Sequence, residues 1–193
     1  PTLLKDNRMS VFLNRLKEFG YQVNENSARI EDAANYGVPQ RRKRMIMQIL
    51  RDRPIPETKM VERVTVRTAF KKANLKPIGL SGDSLHDEMS KHGERVLSMI
   101  RAIPKNGGSR TALPEDLVLN CHKKNSLGFK DVYGRMKWDD VAPTMTGGCG
   151  NPSKGRFLHP EENRAISLRE AAILQSFPKK YWFSNKNGRT GIA

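Results

Sequence analysis

A glutamine and two arginines at alternate positions, Gln40, Arg42 and Arg44, are the residues whose types and spacing best suit chemistry. They follow a Gly-Val-Pro turn signal and run into the apolar stretch 45–50, which predicts a buried strand. Side chains alternate along a strand, so these three are expected on one face and Arg41 on the other. An amide and two guanidinium groups together can bind a phosphate or the polar edge of a base. A solvated basic edge strand is the alternative interpretation.

The charge of the chain favours a polyanionic partner. The 193 residues include 35 Lys and Arg against 20 Asp and Glu, which gives a formal net charge of +15. The isoelectric point near 10.1 is typical of nucleic-acid-binding domains. An anionic membrane would suit the charge equally well, but the sequence has no transmembrane run, signal peptide or long basic amphipathic helix, so no membrane partner is expected.

Cysteine and histidine usage predicts neither a disulfide framework nor a metal site. Cys121 and Cys149 are the two cysteines, which indicates a reducing compartment and therefore a cytoplasmic protein. Together with His122 and His159 they lack the spacing of zinc ligands.

The elements that would position the Gln-Arg-Arg stretch are a helix and two short strands. Residues 9–19 carry apolar side chains at helical spacing before Gly20, and strands are expected within residues 21–30. A helical turn then leads into the Gly-Val-Pro signal. This order predicts the edge of an α/β sheet.

The rest of the chain is richer in loops. Residues 51–56 are a candidate linker, a helix is expected at about 90–103, and a basic Gly-rich loop covers 105–110. Residues 128–155 mix aromatics, cations, threonines and glycines, which suits contacts with base edges and phosphates, although a pair of surface hairpins is equally compatible. Ser167 and Glu170 form a capping-box signature for a following helix.

Two of these stretches resemble motifs of the DNA cytosine-5 methyltransferases, of the bacterial restriction-modification type. Residues 36–44, YGVPQRRKR, resemble the family's YG(V/I)PQxRxR element, and residues 166–178, ISLREAAILQSFP, resemble its (L/I)(S/T)xRExAxLQxFP element. Arg135, Pro143-Thr144 and His159-Pro160 also lie where such proteins carry these residues. The resemblance covers essentially the whole chain and identifies it with the C-terminal half of the family.

The resemblance implies an α/β fold with two parts. Residues 1–56 would be the C-terminal part of a Rossmann-like methyltransferase sheet. Residues 57–162 would form a small mixed α/β target-recognition domain. Residues 163–193 would be a helix and tail that return to the catalytic domain, with Arg169 and Glu170 anchoring the recognition domain against the catalytic sheet.

The implied activity is transfer of a methyl group from S-adenosylmethionine to C5 of a cytosine flipped out of double-stranded DNA, since a stacked base is out of reach. The family's nucleophilic Cys of a Pro-Cys element, its catalytic Glu and its glycine-rich cofactor loop normally precede the region that resembles this chain. Neither Cys121 nor Cys149 follows a proline. We therefore expect the chain to be inactive alone, to leave S-adenosylmethionine mainly to other residues, and to act with the N-terminal half of a methyltransferase in a nucleoid-associated bacterial enzyme.

The resemblance also implies residue roles. Arg44 would contact the flipped cytosine at O2, Arg42 would hold a DNA phosphate or the catalytic loop, and Gln40 would orient the pair. Cofactor-binding and metal residues are not expected. The expected DNA-binding residues of the recognition loops are Lys130, Tyr133, Arg135, Thr144, Thr146, Gly147, Gly148, Asn151, Lys154 and Arg156.

Other interpretations stay open. The chain could be a separate subunit or a fragment of a longer methyltransferase. It could instead be a sequence-specific DNA-binding module without catalysis, which methyl transfer after mixing with the N-terminal half would exclude. A tRNA cytosine-5 methyltransferase is a third candidate, which a comparison of duplex DNA and tRNA as substrates would test.

Overall fold

The computed structural model describes residues 3–123 and 131–183. It is a mixed α/β structure, as the sequence predicts, and its sheet is small and antiparallel; the Rossmann-like assignment and the division into domains stay predictions. The helices are α1 (Asn7–Glu18), α2 (Val66–Ala73), α3 (Ser84–Asp87), α4 (Glu94–Ala102), α5 (Asn120–Lys123) and α6 (Leu168–Leu174), and the strands are β1 (Ala28–Asp32) and β2 (Lys43–Met47). Short 3-10 turns occupy Leu3–Lys5, Ala33–Tyr36, Arg110–Ala112, Glu115–Leu117 and Pro152–Lys154.

Strands β1 and β2 form an antiparallel ribbon whose register runs from Ala28 opposite Met47 to Asp32 opposite Lys43. The connection is fixed by the buried carboxylate of Asp32, which accepts hydrogen bonds from the backbone N–H of Ala34 at 3.3 Å and of Arg42 at 2.8 Å. Gly37 follows the 3-10 turn with φ of 80°, a left-handed conformation that glycine adopts without steric cost. The hydrogen bonds to Asp32 hold Arg42 in place immediately before Lys43, the first residue of β2.

The expected burial of β2 is wrong for the described part of the chain. Ile46 is 39% exposed. The reason is that the sheet has two strands among residues 3–123 and 131–183, so the face that carries Ile46 has no further strand or helix packed over it there. The expected helix at 90–103 is also shorter than predicted, because α4 begins after Gly93 and ends at Ala102.

The main hydrophobic core joins α2 and α6 to the irregular segment between them. Burying a large apolar side chain fully contributes about 1.5–3 kcal/mol, and this core contains several such residues. Its buried members are Val66, Ala69, Met136, Ala142, Met145, Cys149, Phe157, Ile166, Ala171, Ile173 and Leu174. A second cluster packs Met99 and Ile100 of α4 and the following Ile103 against Tyr133 and Leu158.

The capping box of α6 is confirmed. The Ser167 hydroxyl accepts the Glu170 N–H at 3.0 Å and the Glu170 carboxylate accepts the Ser167 N–H at 2.8 Å. Arg169 pairs with Asp83 at the N-terminus of α3, and Glu170 pairs with Arg164. These ion pairs therefore join α6 to Asp83, which caps α3, and to Arg164, which lies shortly before α6.

No helix within residues 3–123 and 131–183 is long and apolar enough to cross a bilayer. Within the same ranges, no group of three or more His, Cys, Asp or Glu residues is placed to hold a metal ion.

Candidate nucleic-acid interface

Arg42 and Arg44 come together at one pocket of about 240 Å³ on the β1–β2 ribbon. Cross-strand pairing puts Glu31 of β1 directly opposite Arg44 of β2, so one carboxylate faces two guanidinium groups. The remaining lining residues are Arg29, Ala33, Tyr36, Ile46, Gln48 and Thr58. A pocket with this lining suits a ligand that accepts hydrogen bonds and carries or develops negative charge.

The carboxylate of Glu31 is paired with Tyr36 and Arg29, so it does not occupy the guanidinium groups of Arg42 and Arg44. Its carboxylate accepts the Tyr36 hydroxyl at 2.6 Å and pairs with Arg29. The Tyr36 hydrogen bond and then Arg29 hold the pKa of Glu31 below its usual value, while the same contact raises the pKa of Tyr36. Arg29 also donates to Gln48 at 3.0 Å and Thr58 at 2.8 Å. The sequence did not single out Glu31 or Arg29, although their alternation on β1 is the signal that could have found them.

Of the three arginines that line the pocket, Arg42 and Arg44 keep hydrogen-bond donors for a ligand. Arg44 is exposed, and its guanidinium makes one hydrogen bond among the described residues, from Nη1 to the Lys43 carbonyl at 2.7 Å. Arg42 is half-buried, and its Nη1 makes a long contact of 3.4 Å with the Met145 carbonyl. Guanidinium groups with free donors are suited to charge-assisted, two-point recognition.

Gln40 does not line this pocket. It is buried, and its Oε1 accepts the Met145 N–H at 2.7 Å. The reason is that the backbone at 39–41 pairs in parallel with Ala142, through Arg41 N–H to Ala142 O and Ala142 N–H to Pro39 O. The Thr144 hydroxyl adds a bond to the Arg41 carbonyl at 2.7 Å. The entry to β2 and the segment 142–146 are therefore tied together.

The tied segment leads into an exposed loop. Thr146, Gly147 and Gly148 are exposed, and Gly148 has φ of 82°, which glycine adopts readily. Asn151 and Lys154 follow at the surface, and the Asn151 side chain caps the turn Pro152–Lys154 by accepting the Ser153 N–H at 2.9 Å. These five predicted residues lie where a duplex could reach them.

Two other residues that were predicted to contact DNA have buried side chains in this conformation. Arg135 is 0% exposed and donates to the carbonyls of Ile100, Ile103, His159 and Glu162 and to the side chain of Asn163. Tyr133 is also buried, and burial raises its pKa. The Arg135 guanidinium joins the end of α4 to residues 159–163, and Tyr133 packs in the cluster beside α4.

Two predicted residues remain. Arg156 is half-buried and joins the loops, since its Nη1 donates to the carbonyls of Gly107, Gly108 and Arg135, each at 3.0 Å. Lys130 lies outside the described residues.

A family model and two related proteins indicate the same protein family for this chain. The family model described as C-5 cytosine-specific DNA methylase matches residues 2–191. The chain is 38% identical over 194 residues to the Type II methylase M.HgiDII of Herpetosiphon aurantiacus, covering 95% of this chain and 53% of that protein. It is 30% identical over 193 residues to the Type II methyltransferase M1.BsuMI of Bacillus subtilis, covering 96% of this chain and 42% of the relative. The chain thus spans about half the length of these relatives.

Proposed function

The chain belongs to the C-5 cytosine-specific DNA methylase family, and from that premise we propose that it is the target-recognition part of a DNA cytosine-5 methyltransferase and one wall of its base pocket. The substrate is a cytosine flipped out of double-stranded DNA, and the methyl donor is S-adenosylmethionine. The Type II names of its relatives support an enzyme of the restriction-modification class.

The observation that carries this proposal is the shared pocket of Arg42 and Arg44 on a strand tied to the exposed loop at 146–148. Arg44 contacts O2 of the flipped cytosine. Attack of a thiolate on C6 pushes electron density onto the ring, and a guanidinium at O2 binds that developing charge more strongly than it binds the neutral base. A contact that strengthens towards the transition state is what catalysis requires.

Arg42 and Gln40 have positioning roles. The long contact of Arg42 with Met145 is easily exchanged for a DNA phosphate or a loop of the catalytic domain. Gln40 keeps the strand and the segment 142–146 in register, which orients Arg42 and Arg44 relative to the recognition loop. Replacing Arg44 by Lys would keep the charge but lose the planar fork.

The exposed recognition residues read the duplex. Thr146 and Asn151 offer groups that match base edges, Gly147 and Gly148 allow close approach of the backbone, and Lys154 offers a cation for a phosphate. Thr144 contributes by holding the loop to the Arg41 carbonyl.

The nucleophile is assigned to another segment of the same or a separate chain. Cys149 is 2% exposed, and burial raises its pKa, so it is a protonated core thiol at neutral pH. Cys121 is exposed but follows Asn120.

The ribbon pocket does not fit S-adenosylmethionine. The ribbon pocket is lined by three guanidinium groups, which would repel a sulfonium. The strands beside it are antiparallel, whereas the nucleotide sites of doubly wound folds lie at the carboxyl ends of parallel strands. No step through the cofactor is therefore derived from these residues.

The test is methyl transfer from radiolabelled S-adenosylmethionine by this chain co-expressed with the N-terminal half of its methyltransferase. Transfer to C5 of cytosine in duplex DNA is the expected result, with none from the chain alone. Duplex binding without transfer by the combined halves would indicate a DNA-binding module, and transfer to tRNA in preference to duplex DNA would indicate an RNA enzyme.

A further inference from the structure

A second cleft, of about 350 Å³, lies between Arg41, which precedes β2, and residues of the segment 131–156. Its lining includes the cations Arg41, Lys137 and Arg156 and the carboxylates Asp131 and Asp140. Arg41 is adjacent in sequence to Arg42, about 3.8 Å away between Cα atoms, but it lines this cleft whereas Arg42 lines the ribbon pocket. The two concavities therefore flank one short stretch of backbone.

The cations of this cleft are held weakly enough to accept an anion. The side chain of Arg41 is 50% exposed and contacts Asp140 at 3.5 Å, the outer limit of a hydrogen bond. Exposed ion pairs of this kind contribute about 0–1 kcal/mol, so a phosphate can replace the carboxylate. Lys137 is exposed and makes no ion pair within residues 3–123 and 131–183.

Arg156 forms the fixed side of the cleft. Its Nη1 is occupied by the carbonyls of Gly107 and Gly108, and its Nε pairs with Asp131 at 3.2 Å. Nη2 makes no hydrogen bond to any residue in the described ranges, so its two N–H groups remain for a ligand.

Gly107 fixes where Lys137 lies. A Cβ at Gly107 would stand 2.5 Å from Cγ of Lys137, and the backbone φ there is +103°. Only a glycine accepts both the close approach and this left-handed conformation. The aliphatic part of Lys137 thus lies against the glycine, and Lys137 lines the same cleft as Arg41 and Arg156.

We propose that Arg41, Lys137 and Arg156 bind a backbone phosphate of the DNA strand beside the flipped nucleotide, and that Asp140 holds Arg41 until the phosphate replaces it. The site rests on the proposed function, because it needs a duplex seated between the ribbon pocket and the recognition loop. Asp140 lowers affinity in the free protein but keeps the guanidinium oriented.

The experiment is fluorescence-anisotropy titration of this chain with a labelled duplex of mixed sequence over a range of salt concentrations. Each phosphate contact on B-DNA contributes about 0.9 to the slope of log affinity against log salt concentration. Arg41→Ala and Lys137→Ala should each lower the slope by about that amount. Asp140→Asn should tighten binding, and Arg41→Lys should retain most of the slope, because a phosphate site requires charge.

The matched control is Lys17→Ala, which removes one exposed cation from α1, away from the cleft. All variants change exposed or half-exposed side chains, and thermal melts establish that each one is folded. Binding by the unchanged chain with equal slopes for Arg41→Ala, Lys137→Ala and Lys17→Ala would overturn the phosphate site alone. If the unchanged chain does not bind the duplex at all, the proposed function is overturned as well. A slope loss seen with tRNA and not with the duplex would overturn the assignment to DNA.

Discussion

Arg135 and Arg44 carry the same chemical group in opposite environments. The guanidinium of Arg135 is fully buried and donates to four backbone carbonyls and to Asn163. Arg44 is exposed, and its one described hydrogen bond goes to the carbonyl of its neighbour Lys43. Since a donor already satisfied inside the protein offers nothing to a ligand, Arg135 is scaffold and Arg44 is available for binding.

The buried region repeats the pattern of Arg135. Arg164 pairs with both oxygens of Glu170. Burial alone would raise the pKa of that carboxyl, but Arg164 reverses the effect and holds the pKa below its usual value. Arg169 pairs with Asp83 and donates to the Tyr181 carbonyl. Arg164 and Arg169 are therefore committed to internal partners, whereas Arg44 of the ribbon pocket is not.

The largest effect that would test this contrast is the loss of Arg135. Arg135→Leu leaves several buried carbonyls without donors, and we expect the free energy of unfolding to fall by about 3 kcal/mol or more. Arg44→Leu, the matched exposed change, should alter it by about 0.5 kcal/mol or less. Urea denaturation measures both. Equal, small losses for the two variants would show that Arg135 is not the structural residue inferred here.

The opposite result is expected for turnover. In the complete enzyme, Arg44→Ala should lower kcat by about 10²- to 10³-fold, because it removes a group aimed at charge that develops in the transition state. Its urea midpoint should stay near that of the unchanged protein. Lys43→Ala, which removes the neighbouring cation on β2, is the control and should retain activity. Near-normal turnover of Arg44→Ala would refute the assigned role.

Local signals in the sequence were sufficient to locate α1, α4 and α6 approximately. They did not identify α2, and they did not indicate which arginines are buried and which are exposed. The capping box at Ser167 and Glu170 is four residues long and identifies α6 by itself. The partners of Arg135 lie 24 to 35 residues away, and Gln40 bonds to Met145, 105 residues away. Arg135 follows Gly134 and Arg44 follows Lys43, and neither neighbour indicates whether the guanidinium is buried, so packing decides the difference.

Acid should destabilise the buried region through His159. Burial, and then Arg164, lowers the pKa of His159 to about 4, and its Nδ1 accepts the N–H groups of Glu161 and Glu162. The unfolded value is about 6.5, so the unfolded chain binds the proton more tightly. The contribution is fully present above about pH 6.5 and is lost as the pH falls towards 4, about 2 kcal/mol between neutral pH and pH 4.5.

Unfolding free energies over that pH window measure the effect, and His159→Asn is the matched variant because its amide oxygen can accept the same N–H groups without titrating. We expect a shallower acid slope for the variant. The lowered pKa values of Glu162 and Glu170 act in the same direction, so some slope should persist. Identical slopes for the two proteins would exclude His159 as a source of acid sensitivity.

The smallest expected effect separates scaffold from binding most sharply. Ser167→Ala removes the hydroxyl that accepts the Glu170 N–H and contacts His86 Nδ1 at 2.8 Å. Loss of such a cap costs about 1 kcal/mol, whereas Ser10→Ala on exposed α1 should cost nothing, because alanine is the better helix former. Urea denaturation measures both variants. Since neither serine lines the ribbon pocket or the phosphate cleft, the salt slope of DNA binding should match the unchanged protein in both. A Ser167→Ala chain that lost salt-dependent binding while it stayed folded would show that the buried region does more than hold the exposed cations in place.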